Sequence, residues 1–267
     1  MNKSYLKWAG GKSRILEDVL ATFPTGERFL EPFAGSCTVT LNANYPVKIS
    51  NDINKDLMHC HRDCYDHPEE LLEILSELYE LGRESYYDLR DEFNETLTHS
   101  ARRSAIFIYM NKHGFNGMCR YNSSGIFNIP VGKSKTIHFP KEEILNFKKD
   151  IGNTKFLSTS FEEVLDEAKS GDVVYCDPPY VPASVTKSDI NYTGGGFPYE
   201  LQVLLKDKAI EAVARGATVI ISNHDLEVTR KLYEEADEII PIEAFRSISS
   251  GKRGNVSELI AIYKPTA

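Results

Sequence analysis

The chain has 267 residues, 41% of them hydrophobic and 26% charged, with a formal net charge of −8. That length holds one large domain or a main domain carrying an insertion, and the composition is that of an ordinary soluble globular protein. No run approaches the length of a membrane span and Met1–Lys7 lacks the apolar core of a signal peptide, while an odd count of five scattered cysteines predicts reduced thiols in a cytoplasmic protein.

The charge is unevenly spread. Between His99 and Lys155, ten Lys and Arg stand against three Asp and Glu, a net of +7 that leaves the remainder at −15. A basic stretch on an acidic body points to a polyanion-binding face.

Along the chain, Lys7-Trp8-Ala9-Gly10-Gly11-Lys12 comes first. Its glycines leave backbone amides accessible, and Lys12 offers a positive charge to a carboxylate or phosphate. It is not a Walker loop, because no strand and no first glycine precede Gly-Lys-Ser. A helix is predicted from Ser13 to about Ala21, ended by Phe23-Pro24-Thr25-Gly26. Arg28–Phe33 then reads as a strand, Ala34-Gly35-Ser36-Cys37 as a small-residue turn, and Thr38–Asn44 as a helical run. That succession opens a nucleotide-binding α/β domain, although only Gly35 remains of the dinucleotide fingerprint. A strand Val47–Ser50 leads to Asn51-Asp52-Ile53. Asp52 suits ribose hydroxyls at that place, and equally suits capping of the following helix, Asn54–Arg62. His59, Cys60, His61 and Cys64 lie on that helix without a second cluster at metal-ligand spacing, so they read as packing residues and no metal is expected.

Leu71, Leu72, Leu75, Leu78 and Leu81 recur at helical steps between Pro68 and Glu95. Further helices are predicted over Tyr86–Asn94, carrying Arg90, and over Ala101–Asn111. These interrupt the α/β rhythm, which places an inserted domain at 56–144 between catalytic segments 1–55 and 145–267. Within the insertion, Met118–Tyr121 and Ile126–Ile129 flank the turn Asn122–Gly125 and read as a β-hairpin. It carries Arg, Asn and aromatic side chains, the types that read base edges and fill gaps in a base stack. Lys133 and Lys135 follow as phosphate contacts.

The α/β rhythm resumes with a strand Lys155–Ser158, a helix Phe161–Lys169 and a strand Asp172–Cys176. That strand stops at Asp177-Pro178-Pro179-Tyr180. Neither proline can donate to a ladder and both hold φ near the extended value, so the chain leaves the sheet as a stiff shelf. The carboxyl end of a strand is where ligands bind in an open α/β sheet. Val181–Pro198, with Gly194-Gly195-Gly196, has the length of a functional loop or lid. A helix Tyr199–Arg215, a strand Ala217–Ser222 ending at Asn223-His224-Asp225, a helix Leu226–Ala236 and strands Glu238–Glu243 and Glu258–Tyr263 complete the pattern. Arg246–Ser250, Lys252 and Arg253 lie between the last two.

The shelf supplies acceptors, Asp177 and a proline carbonyl, that fit both hydrogens of an exocyclic NH2, and Tyr180 supplies a flat face for a base. An aromatic amine is a poor nucleophile because its lone pair is delocalised. Two acceptors that favour a pyramidal nitrogen turn the lone pair toward an electrophile, which is catalysis by positioning and by acceptors matched to developing charge. A base must leave the duplex to reach such a shelf.

Lys7–Lys12, Glu31-Pro32-Phe33-Ala34-Gly35, Asn51-Asp52-Ile53, Asp177–Tyr180 and the Arg120 hairpin together resemble the Dam family of DNA adenine N6-methyltransferases, over Lys7 to Pro265. The resemblance implies an α/β, Rossmann-like S-adenosylmethionine-dependent methyltransferase sheet with an inserted, mainly helical DNA-recognition domain bearing a β-hairpin. It implies S-adenosylmethionine as cofactor and GATC in double-stranded DNA as the site, for a monomer at work on the nucleoid of a bacterial or phage-infected cell. Trp8, Ala9, Gly10 and Lys12 would surround the methionine end of the cofactor, Phe33 and Gly35 line its pocket, Asp52 bind the ribose, and Ser160 and Phe161 lie beside its adenine. Asp177, Pro178 and Tyr180 would be catalytic, with Asp177 also against the cofactor. Lys7, Arg90, Phe115, Asn116, Met118, Arg120, Pro130 and Lys135 match positions that touch DNA, Arg120 being the candidate guanine contact. Phe115 and Asn116 would fill the stack left by the flipped base. The chain departs from the family at Ser134, where relatives carry an aromatic, and at Ser36-Cys37.

Other chemistries remain to be weighed. Cytosine C5 methylation needs a nucleophilic Cys after a proline, and Cys176 follows Tyr175. Cytosine N4 methylation uses similar chemistry, often with Ser in place of Asp177, and a glutamine-directed enzyme would carry Asn there. A catalytically silent DNA-binding protein is the alternative of a different class.

Overall fold

The structure, a computed structural model, describes residues 1–181, 197–244 and 256–266. The expected loop at 181–198, with Gly194-Gly195-Gly196, therefore lies almost wholly outside the described residues, as do Arg246–Ser250, Lys252 and Arg253. In chain order the first elements are α1 (Leu16–Ala21), β1 (Arg28–Glu31), β2 (Val47–Asn51), α2 (Lys55–Asp66), α3 (Pro68–Glu80) and α4 (Tyr86–Glu95). They are followed by α5 (Ala101–His113), α6 (Lys141–Ile151), β3 (Thr154–Leu157), α7 (Phe161–Asp166) and β4 (Asp172–Cys176). The last are α8 (Tyr199–Ala214), β5 (Thr218–His224), α9 (Glu227–Leu232), β6 (Glu238–Ala244) and β7 (Val256–Tyr263). The protein is α/β, as expected.

The described residues form two compact units. One comprises Lys12–Ala34, Ala43–Ile53 and the segment from Thr159 onward, and it holds a mixed sheet in the order β2-β1-β4-β5-β7-β6. β2, β1, β4 and β5 are parallel, whereas β7 is antiparallel to both β5 and β6. Every residue of β4 is buried, which is why its sequence is a continuous apolar run rather than an alternating one. Its only acid inside the strand, Asp172, takes a bidentate pair from Arg28 at 2.9 and 2.5 Å. Pro241 in β6 removes a ladder donor from the strand at the end of the order, a position where proline is tolerated.

The other unit comprises Met1–Gly11, Gly35–Asn42 and Asn54–Ser158. Its centre is α5, buried from Arg103 to His113 on all sides, so that no amphipathic stripe shows in its sequence. Ser100 caps it by accepting from the Arg103 amide at 3.1 Å. Leu71, Leu75 and Leu78 of α3 are buried as their spacing predicts, while Leu72 is half-buried and Leu81 is exposed.

Several expectations are corrected. Thr38–Asn44 forms turns rather than a helix: Cys37 has a left-handed φ of 57°, and the Asn42 side chain takes the Thr38 carbonyl at 2.9 Å. The helix after Lys12 begins at Leu16, not Ser13. The hairpin is reduced to one isolated bridge, Tyr121↔Phe127. Two backbone bonds join its arms, from the Asn122 amide to Ile126 and from the Asn128 amide to Arg120, while Asn122 Oδ1 accepts from the Ser124 and Ile126 amides and Asn94 takes the amide and carbonyl of Phe127. α6 was not anticipated at all. Residue Asn54, accepting from the Leu57 amide at 3.1 Å, caps α2, so Asp52 does not.

Candidate active site

β4 ends at Cys176, and the chain leaves the sheet through Asp177-Pro178-Pro179-Tyr180. Asp177 Oδ1 lies 2.7 Å from Lys12 Nζ, and the two side chains are 18% and 5% exposed. Burial pushes the Asp177 carboxyl up from its ordinary range, and the Lys12 ammonium pulls it back down. Lys12 also lies over the Tyr180 ring, 4.6 Å from its centroid. Tyr180 donates from its hydroxyl to Glu258 Oε2 at 2.8 Å and meets the His224 ring edge-on at 4.9 Å.

Behind the shelf stands a buried amide network. Gln202 Nε2 donates to the Pro179 carbonyl at 2.8 Å. Asn223 accepts from the Val181 amide at 3.2 Å and donates to Gln202 and to the Tyr233 hydroxyl, both at 3.1 Å. Gln202 from α8 and Asn223 from β5, braced by Tyr233 after α9, thus fix Pro179 and Val181 on either side of Tyr180. Buried amides that satisfy their donors and acceptors rigidify a site.

In the same unit, Phe33 and Phe161 stack with centroids 5.4 Å apart, and Phe197 lies 5.6 Å from each. Asn51, 1% exposed, donates to the Pro32 and Thr159 carbonyls and accepts from the Thr159 amide, tying the ends of β1 and β2 to the segment that carries Ser160. Ser160 caps α7 through the Glu163 amide at 3.4 Å. Asp52 follows β2 directly and is half-buried.

In the other unit, Trp8 packs so close to Gly35 that a Cβ there would lie 2.7 Å from the indole, and Gly35 has φ +48°. Glycine is the residue that meets both demands. Gly10, with φ +78°, has open space where its Cβ would stand, and Ala9 beside it is exposed. His61 holds the Gly35 carbonyl at 2.8 Å and the Tyr5 hydroxyl at 2.7 Å; Cys60 donates to Ser104 and Cys64 to Ile144 through backbone carbonyls. These side chains therefore converge on packing partners, not on one another.

Lys7 and Gly117, the residue between Asn116 and Met118, come together around Asn111. Its side chain accepts from the Lys7 amide at 2.9 Å and donates to the Lys7 and Gly117 carbonyls at 2.8 and 2.9 Å. Lys7 packs directly on Gly117, where any Cβ would meet it at 2.4 Å. Phe115 and Asn116 are exposed at the tip, Asn116 in the left-handed region at φ 54°. Arg120 is exposed and donates from Nε to Asn128 Oδ1 at 2.8 Å, while the exposed Pro130 accepts from the Phe115 amide at 2.9 Å. Arg90 lies over the Tyr87 ring at 4.8 Å, and Lys135 is exposed. Sequence reasoning missed Asn111, Gln202, Phe197 and Glu258. The first two are polar residues within helical runs, and only their burial marks them.

An acid-bearing shelf at the carboxyl ends of parallel strands, in an α/β sheet, defines a ligand-binding or catalytic protein. Sequence comparison narrows this. The description of D12 class N6 adenine-specific DNA methyltransferases matches residues 8–248. The chain is 39% identical over 269 residues to the DNA adenine methylase of Escherichia coli (strain K12), covering 99% of this chain and 96% of that one. It is 37% identical to the DNA adenine methylase of Vibrio cholerae serotype O1 (strain ATCC 39315 / El Tor Inaba N16961), over 98% and 96% of the two chains. A crystal structure of a putative RNA methyltransferase from Pyrococcus horikoshii aligns with 95% of this chain and 83% of its own, at a TM-score of 0.42 and 10% identity. The chain belongs to the D12 class N6 adenine-specific DNA methyltransferase family, which bears out the resemblance read from its motifs.

Proposed function

We propose that this chain transfers a methyl group from S-adenosylmethionine to N6 of adenine in double-stranded DNA, at GATC, on a base turned out of the duplex. Asp177 carries the reading: a carboxylate at the end of a fully buried parallel strand, with a proline-stiffened shelf and an anchored tyrosine ring beside it. The Pro179 carbonyl already accepts from Gln202, so the shelf carbonyl assigned to the amine is that of Pro178. Asp177 and Pro178 accept the two amine hydrogens and favour a pyramidal nitrogen whose lone pair points away from the shelf. Tyr180 stacks on the base.

The residues assigned to the cofactor suit it chemically. A carboxylate after β2 and a stacked aromatic pair in the same unit match a ligand with ribose hydroxyls and a flat base. When bound, S-adenosylmethionine supplies an electrophilic methyl group. Trp8, Ala9, Gly10 and Lys12 are assigned its methionine end, Asp52 its ribose, and Phe33, Gly35, Ser160 and Phe161 the rest of the pocket, with Asp177 adjoining.

Residues 56–144 are assigned to target recognition, together with Lys7, which packs against Gly117 of that span. Arg120 reads a guanine, Phe115 and Asn116 fill the gap in the stack, and Arg90, Met118, Pro130 and Lys135 complete the contact. The protein acts as a monomer in the cytoplasm, where its DNA lies. The test is protection: duplex incubated with the protein and S-adenosylmethionine should resist a nuclease that cuts only unmethylated GATC. Intact DNA binding without protection would leave the silent DNA-binding protein in its place.

A further inference from the structure

Asp56, in the first turn of α2, has no part in the reading above, yet it grips the segment that bears Arg120. Its Oδ2 accepts from the Tyr121 hydroxyl at 2.7 Å, and its Oδ1 lies 3.0 Å from Arg103 Nε and 2.9 Å from Nη2. Two residues earlier, Asn54 donates from Nδ2 to Cys119 Sγ at 3.5 Å. Arg103 is buried, lies over the Phe93 ring at 3.8 Å and donates through Nη1 to the Phe93 and Thr96 carbonyls at the end of α4. Asn94, next to Phe93, takes the Phe127 amide and carbonyl at 2.8 and 3.1 Å. The Phe127 and Tyr121 rings then meet edge-on at 5.6 Å, which closes a circuit through α2, the hairpin, α4 and α5 within one compact unit.

The circuit decides where Arg120 goes. Two backbone bonds join the arms of the hairpin, and a two-stranded ribbon of that size is marginal in water without further support. Alternate side chains of an extended segment share a face. Cys119 and Tyr121 turn toward α2, so Arg120 between them turns away, and it is exposed with its Nε on Asn128 Oδ1 at 2.8 Å. A slip of one residue would exchange the two faces and carry the guanidinium inward. The Tyr121 hydroxyl is the polar tie that opposes such a slip. A carboxylate is a stronger acceptor for it than a neutral group, and Arg103 holds that carboxylate in place from the other oxygen.

We propose that Asp56 is a positioning residue for target recognition: by receiving the Tyr121 hydroxyl it fixes which face of the hairpin is turned outward, and so the direction from which Arg120 meets its base pair. The proposal rests on the assignment of Arg120 to a guanine. Asp56 and Arg103 then act on sequence choice through Tyr121. Tyr121 in turn serves the hairpin through its hydroxyl, where the aromatic side chains of this segment were expected to serve the base stack through their rings.

The test compares wild type, Tyr121→Phe, Arg120→Ala and the double variant in competition binding between a GATC duplex and duplexes substituted singly at each base pair. Phe keeps the ring against Phe127 and removes only the tie to Asp56. Tyr121→Phe should lower discrimination by about fivefold at the base pair that Arg120→Ala relaxes, within the range of one bidentate base contact, and by less than about twofold elsewhere. Adding it to Arg120→Ala should cost no further discrimination at that pair, because coupled residues do not add. Unchanged discrimination, a weakening equal for all duplexes, or losses that multiply in the double variant would each overturn the proposal. Should Tyr121→Phe not fold, a structure of the unaltered protein on a GATC duplex decides. Arg120 on the guanine with the Tyr121 hydroxyl still on Asp56 supports the proposal, and Arg120 on the guanine with that hydroxyl released refutes it. Failure of the guanine assignment registers separately, as Arg120→Ala that relaxes no base pair, and it withdraws the proposal with it.

Discussion

His61 Nε2 donates to the Gly35 carbonyl at 2.8 Å, while its Nδ1 accepts from the Tyr5 hydroxyl at 2.7 Å. The carbonyl can only accept, so the two partners fix the tautomer. A helix side chain thereby holds the glycine turn beside Trp8. The ring is fully buried, and burial lowers its pKa from 6.5 to about 4.

That shift predicts acid sensitivity with a defined sign. Between pH 6.5 and about 4 the unfolded chain binds a proton at this site that the folded chain does not, so stability falls as pH drops through that window. The contribution is roughly 3 kcal/mol at full extent. Urea unfolding at pH 7 and pH 4.5 should show the loss, and His61→Gln should flatten that part of the slope. An identical slope in the variant would assign the acid sensitivity to other groups.

Asp177→Ala should abolish methyl transfer while leaving duplex affinity nearly unchanged, because the acceptor is removed and the residues assigned to DNA are untouched. It also frees the buried Lys12 from its 2.7 Å partner, so a lower thermal midpoint is expected alongside. Retained turnover would remove Asp177 from the chemistry.

Arg120→Ala should relax sequence choice at a single base pair by about 1–3 kcal/mol, the value of one bidentate guanine contact. Its Nε is already braced by Asn128 at 2.8 Å, and the side chain is exposed. Competition between GATC and single-substituted duplexes measures this directly. Weakening that is uniform across sequences would make Arg120 a phosphate contact instead.

Asn111→Ala removes three hydrogen bonds that tie Lys7 to Gly117. Buried groups left unsatisfied cost about 1–3 kcal/mol each, so the thermal midpoint should fall clearly. Duplex affinity should fall with it, since Lys7, Phe115 and Asn116 lose their common support. A destabilised variant with native affinity would show that the loop does not meet DNA.

Much of this was legible in the sequence because the informative signals are local. β4 and β5 show as apolar runs, and the breaks at Asp177-Pro178-Pro179 and after β2 mark where the sheet ends. What could not be read depends on pairing between distant segments. Glu258 looks like any strand residue until β7 is known to run antiparallel beside β5. The hairpin is short: the Asn122 and Asn128 amides pair with the Ile126 and Arg120 carbonyls, while Asn94, 33 residues away from Phe127, takes the Phe127 amide and carbonyl that this pairing leaves over. Thr38–Asn44 has helical spacing, and the positive φ at Cys37 diverts it.

The reversed direction of β7 has a consequence for assembly. It brings the strand's beginning, with Glu258, to the end of the sheet where the parallel strands finish, and so joins Tyr180 to a partner 78 residues later in the chain. A polypeptide leaving the ribosome presents Lys12, Asp177 and Tyr180 well before the carboxylate that completes them. Until β7 docks, the Tyr180 hydroxyl lacks the Glu258 carboxylate that receives it. The shelf is thus completed only when the last strand takes its place in the sheet.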